Sequence, residues 1–121
     1  FTAAANIIIR HLDRGFPELT RAPGPFAFSE KKYVKQILNA AGFENIKVEK
    51  VYSLISTNDS AEKDGNLLFN IGLAGRLLSE ENLSEEELAK IKEKIIEMSQ
   101  NRKVDGIITY KACLNFVSAT K

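Results

Sequence analysis

No glycine-rich phosphate loop occurs in this sequence, and neither a P-loop nor a dinucleotide fingerprint can be traced along it. Cysteine is represented by Cys113 alone and histidine by His11 alone. That excludes an intrachain disulfide, and no metal-ligand spacing is present. No apolar run approaches the roughly 18 residues of a membrane span. No charged-then-apolar signal segment opens the chain. The formal net charge of +1 supplies no electrostatic argument for nucleic acid or an anionic membrane surface. These absences exclude nucleic acid and membrane as expected partners, and they favour a reducing, cytoplasmic compartment.

What is present is ordinary: 44% hydrophobic and 27% charged residues in 121, about one domain's length. The chain enters an apolar helical run at once, Phe1-Thr2-Ala3-Ala4-Ala5-Asn6-Ile7-Ile8-Ile9, with no initiator Met. A processed or trimmed natural terminus is one reading. The reading favoured by the missing start signals is a cut through an existing element, so 1–121 is expected to be a single partial domain.

Residues 1–28 read as a helix and a proline-rich loop. Phe1, Ala5, Ile8 and Leu12 share one helical face, and Ile7 and Ile9 lie off it. A helix apolar around most of its circumference needs partners on several sides. Gly15 suits the left-handed position after the helix. Pro17, Pro23 and Pro25 then prevent regular structure. Phe16, Phe26 and Phe28 in this loop either anchor it to a core or line an apolar substrate pocket.

Residues 29–55 read as a helix–strand unit. Ser29 is the expected N-cap, Phe28 and Tyr33 form a hydrophobic staple, and Val34, Ile37, Leu38 and Ala41 make the buried stripe. Gly42 stops the helix. Ile46 to Ile55 is the expected strand, and the polar stretch 56–65 a surface loop. Residues 66–101 read as two helices, 66–79 and 85–101. Gly72 and Gly75 in the first imply a bend or a close backbone approach. A Ser84–Glu87 capping box opens the second, and its charged face is a solvated surface. Residues 105–121 begin with an Asp105-Gly106 turn and continue as a closing strand, Ala112 to Ala119. Both faces of that strand are mostly apolar, so it is expected inside a sheet covered on two sides.

Few residues carry chemistry. His11 sits at a helix end with no nucleophile beside it. Cys113 is expected to be a buried structural thiol. The carboxylates Glu80, Glu81, Glu85, Glu86 and Glu87 cluster at helix ends, where they cap or complement the macrodipole. Arg76, in the apolar run IGLAGRLL, reads either as a snorkelling edge residue or as an anchor for an acidic substrate group. Two strands alone leave edges that template further pairing, so a partner copy or another chain is expected.

The stretch GPFAFSEKKYVKQILNAAGFENIKVEKV resembles the region near the C-terminal end of class I S-adenosylmethionine-dependent methyltransferases. The resemblance lies in a "PF-F" loop (Pro25-Phe26 and Phe28), an "AGF" turn (Ala41-Gly42-Phe43) and a following strand (Ile46, Val48). LLFNIGLAGRLL, residues 67–78, is similar to that family's inserted helix, and DGIITYKACLNFVSATK to its closing strand, with Val117 and Ala119. The resemblance implies an α/β fold: the C-terminal part of a Rossmann-like methyltransferase, with two antiparallel strands and about four helices. Residues 66–101 would be inserted cap helices over the substrate cleft.

The N-terminal half, which binds S-adenosylmethionine at a glycine-rich loop and an acidic strand end, would be missing. The expected function is therefore the substrate-side C-terminal fragment of a small-molecule methyltransferase. It would need S-adenosylmethionine in the intact enzyme, bind none itself and be inactive alone. The candidate substrate-binding residues are Phe26, Phe28, Phe69 and Arg76, facing a small-molecule methyl acceptor; no catalytic, cofactor-binding or metal residue is assigned. The alternative is a stand-alone α/β interaction module, a homodimer through strand edges or apolar helix faces.

Overall fold

A computed structural model describes residues 2–18, 21 and 23–121. The expected part of Phe1 in the first helical face lies outside these residues, as do Leu19, Thr20 and Ala22 of the proline loop. The elements are α1 (Thr2–His11), α2 (Lys31–Ala40), β1 (Glu44–Thr57), α3 (Ala61–Asn70), α4 (Gly72–Glu80), α5 (Glu85–Arg102), β2 (Lys103–Val104) and β3 (Ile107–Thr120). The class is mixed α/β. Among the described residues there are five helices and a three-stranded antiparallel sheet of order β1-β3-β2. The expected two strands and four helices are each exceeded by one, and both additions have a local cause.

The added strand is β2. Asp105 (φ 49°) and Gly106 (φ 78°) are both left-handed, as the centre of a two-residue hairpin turn requires. Val104 therefore faces Ile107, and Lys103 faces Ile108. The added helix comes from Gly72. Its φ of 61° cannot continue a right-handed helix, so the expected helix 66–79 breaks at Ile71 into α3 and α4. The expected loop 56–65 is also shorter than the sequence suggests. Strand β1 runs on to Thr57, and Ser60 caps α3 by accepting a hydrogen bond at its hydroxyl from the Lys63 N–H at 3.1 Å.

The chain divides into two compact units. The first comprises residues 1–17 and 56–110. Its core is apolar side chains at helical spacing: Ala4, Ala5, Ile8 and Ile9 of α1, Leu73, Ala74 and Leu77 of α4, and Ile91 and Ile95 of α5, with Ile108 of β3. Burial of Ile9 as well as Ile8 gives α1 its partners on more than one side, and it packs on both α4 and α5. Helix α1 ends differently from the sequence expectation. Asp13, not Gly15, takes the left-handed position, φ 49°, and the Arg14 N–H closes the end on the Ile9 carbonyl at 3.2 Å. Aspartate tolerates this region because its short polar side chain bonds locally. Arg14 then ion-pairs with Glu81 at 2.5 Å.

Helix α5 starts where the capping box places it. The Ser84 N–H donates to Glu87 Oε2 at 3.0 Å, and the Glu87 N–H donates to Ser84 Oγ at 3.2 Å. The backbone bond from Ser84, followed by its hydroxyl, holds the Glu87 carboxyl below its ordinary range.

The second unit comprises residues 18–55 and 111–121. Helix α2 ends in a Schellman motif: the Phe43 N–H donates to the Leu38 carbonyl and the Gly42 N–H to the Asn39 carbonyl, each at 3.0 Å, with Gly42 at φ 83°. Its start is Glu30, with no side-chain cap, rather than Ser29. The Asn115 amide donates to the carbonyls of Phe28 (2.8 Å) and Ser29 (3.1 Å), holding that stretch as a turn and delaying the helix by one residue. Of the expected stripe only Val34 is buried; Ile37 is 39% exposed. The two long strands are antiparallel: Asn45 bonds Thr120, and Ser56 bonds Thr109, both at 3.0 Å. The expected two-sided burial of β3 is not found. Cys113, Leu114, Phe116 and Val117 are exposed, because one ten-residue helix cannot cover fourteen-residue strands. Cys113 is accordingly an exposed thiol and not a buried one.

Helices α3 and α5 approach closely at Gly65. A Cβ at Gly65 would lie 2.6 Å from Ile96 Cγ1 and 2.8 Å from Ile96 Cα. Gly65→Ala is expected to lower stability by about 1–3 kcal/mol in urea denaturation. Gly15→Ala, which meets open space, should stay within about 0.5 kcal/mol of the parent.

Candidate functional site

The four candidate residues fall in different units. Phe26 and Phe28 lie in the loop before α2, in the second unit. Two tight-turn bonds shape this loop, from the Ala27 N–H to the Gly24 carbonyl (3.1 Å) and from the Ser29 N–H to the Phe26 carbonyl (3.0 Å). Phe26 is half-buried. Phe28 is 60% exposed and stacks on Tyr33 with ring centroids 6.3 Å apart and planes 21° apart. The expected Phe28–Tyr33 contact is thus present, but with Glu30 as the N-cap the two rings do not occupy the N′ and N4 positions of a staple. Arg21 covers the Tyr33 ring, its guanidinium carbon 4.6 Å from the centroid.

Phe69 and Arg76 lie in the first unit. Phe69 is half-buried on α3, with the Lys92 ammonium 5.9 Å from its ring centroid. Arg76 is an exposed residue of α4. Its Nε donates to Glu80 Oε1 at 2.8 Å, one turn along the same helix. Its charge is therefore already paired, which is how an edge arginine behaves. Two of the four candidates thus lie in each unit.

A polar cluster that the sequence reading placed in a loop and on a helix face lies inside the first unit. Asp64 is 6% exposed and Ser99 fully buried. Ser99 Oγ donates to Asp64 Oδ2 at 2.7 Å. The Tyr110 hydroxyl also donates to Asp64 Oδ2 in a short bond, and lies 3.3 Å from Ser99 Oγ. The Arg102 guanidinium carbon sits 4.9 Å from the Tyr110 ring centroid. Burial, reinforced by the bond to Asp64, pushes the Tyr110 hydroxyl up to about 12.

Both hydroxyls donate to one carboxylate, and the cluster joins α3, α5 and β3 and positions them. The one signal that could have located it is the serine cap of α3 at Ser60, which sets Asp64 one turn into a helix. Among the described residues no group of three or more His, Cys, Asp or Glu side chains could hold a metal ion. Among them, too, no helix is long and apolar enough to cross a membrane. Comparison with known proteins finds no matching family model, no matching curated protein and no matching solved structure.

The raised Tyr110 value has a definite consequence for stability. The unfolded tyrosine loses its proton near pH 10 and the folded one near 12. The contribution is therefore whole below pH 10 and is lost as pH rises from 10 to 12. Thermal unfolding across this window should show a fall in midpoint that Tyr110→Phe, compared with the parent at each pH, removes.

Proposed function

We propose that this chain supplies the C-terminal, substrate-side portion of a small-molecule S-adenosylmethionine-dependent methyltransferase. The observation that carries the reading is the strand pair. Strands β1 and β3 are separated in sequence by α3, α4 and α5, yet they lie side by side and antiparallel. That arrangement agrees with the resemblance in the PF-F loop, the AGF turn and the closing strand. The sheet also fits a margin of something wider. Among the described residues, β3 is paired by β2 only at Ile107 and Ile108, and no strand takes the far edge of β1. In this reading the candidate residues for the methyl acceptor are Phe26 and Phe28 in the second unit and Phe69 and Arg76 in the first.

The residues present do not fit the methyl donor. Gly72 and Gly75 open α4 directly after α3, not between a strand and a helix. A Cβ at Gly75 would collide with the Asn70 carbonyl oxygen, so the space beside it is filled by the chain's own backbone. Calorimetry with S-adenosylmethionine should therefore give no saturable heat with these residues alone and a clear signal with a longer chain carrying a glycine-rich loop. Tight binding by this chain would reject the assignment.

A second reading, an interaction module that pairs through its strand edges, is favoured by one observation. Val51, Tyr52, Leu54 and Ile55 of the outer strand are 43%, 76%, 64% and 53% exposed, which is the character of a pairing edge. Light scattering discriminates. A concentration-dependent dimer that Leu54→Lys abolishes supports the module, and a monomer at every concentration removes it.

A further inference from the structure

We propose that the cleft between α1 and α5 binds a small organic anion, an oxyanion carried on an apolar body. The inference does not rest on the methyltransferase reading. The cleft has a volume of about 540 Å³, within the range of small-molecule sites. Arg10 and His11 of α1 line it together with Lys94 and Arg102 of α5, against one carboxylate, Glu97. The half-buried Ile7 and Met98 supply its apolar wall.

The ordinary explanation for basic residues here is the helix macrodipole, since Arg10, His11 and Arg102 stand in last turns. It does not account for Lys94, which is mid-helix, or for the convergence of two helices' cations on one concavity. It also leaves the pairing pattern unexplained. The other arginines, Arg14, Arg21 and Arg76, each hold a carboxylate, whereas lysines outside the cleft are paired at Lys63 and Lys90 and, among the described residues, unpaired at several exposed positions. Among the described residues no ion pair is made by Arg10, Lys94 or Arg102. Lys94 does not pair with Glu97 three residues along, although i,i+3 neighbours can meet.

His11 Nε2 lies 3.9 Å from Glu87 Oε1, which is outside the cleft lining. The Arg102 guanidinium carbon sits 4.9 Å from the Tyr110 ring centroid, and among the described residues no carboxylate pairs with it. Two guanidiniums and an ammonium around an apolar wall fit an oxyanion, because the guanidinium fork matches planar carboxylate and phosphate oxygens.

The test is an NMR titration of the chain with phenyl phosphate and, separately, inorganic phosphate. Saturable shifts confined to α1 and α5, tighter for phenyl phosphate than for phosphate, are expected. Arg10→Gln with Lys94→Gln should weaken phenyl phosphate binding at least tenfold. Lys63→Gln with Lys90→Gln, the same charge change elsewhere, should alter it less than twofold. All four side chains are exposed, and unchanged far-ultraviolet circular dichroism verifies the fold. Absence of saturable shifts would overturn the proposal. So would equal affinity for inorganic phosphate, or binding that the cleft variant leaves intact or that both double variants weaken alike.

Discussion

A strand pair fourteen residues long presents two faces and two edges, and every apolar or hydrogen-bonding group on them must find a partner or meet water. Most of this protein's features follow from how incompletely that demand is met. Among the described residues of the second unit, Val34 and Val48 are the buried apolar side chains. At about 25 cal/mol per Å² of apolar surface removed from water, two valines offset little of the entropy lost by ordering a helix and two strands. The side-chain bonds that run along this unit, Asn45 to Thr120 and Asn115 to the Phe28 and Ser29 carbonyls, fix register without adding hydrophobic stabilisation. An apolar surface held in register but left uncovered has the character of an interface. That is why both functional readings involve further protein.

The first unit solves the same problem differently. Four helices surround a shared core, and glycine lets two of them touch. Without a side chain at position 65, α3 approaches the Ile96 backbone of α5. That approach brings Asp64 against Ser99 and sets Tyr110 of β3 across both. A carboxylate so enclosed would be costly unless its lone pairs were used, and two hydroxyl donors use them. The polar cluster is therefore a consequence of close packing as much as a contributor to it. Its specific geometry discourages the helices from sliding, because any slip would leave a buried acceptor short of a donor.

The legible parts of the fold were those with a local cause. The capping box at Ser84 and Glu87 places α5, the Gly42 stop places the end of α2, and alternation from Ile46 places β1, all from neighbours within a few residues. The expectations that failed needed information from farther away. Ser29 loses the cap of α2 to contacts made by Asn115, and Gly15 loses the left-handed position to Asp13, next to the Arg14 that pairs with Glu81. The apolar faces of β3 were read as buried because composition reports what a strand could cover, not whether a cover exists. The buried cluster was hidden for the same reason: Asp64 and Ser99 look like surface residues until α3 and α5 are laid together.

Charge follows the same division between what is local and what is not. An arginine in an apolar run draws attention in a sequence, yet Arg76 also has an ion-pair partner, Glu80, one turn away. An i,i+4 partner is visible in the sequence and should lower the weight given to any isolated cation before it. Arg10 and Lys94 attract no notice as residues of amphipathic helices, but packing α1 against α5 sets their cations around one cleft. Exposed charges within a Debye length of about 8 Å at physiological ionic strength feel one another even without contact. A cationic group so gathered has a lower free energy with an anion among its members than without one. What makes a charged residue available for recognition is therefore less its own surroundings along the chain than whether a carboxylate of the folded neighbourhood holds it in an ion pair.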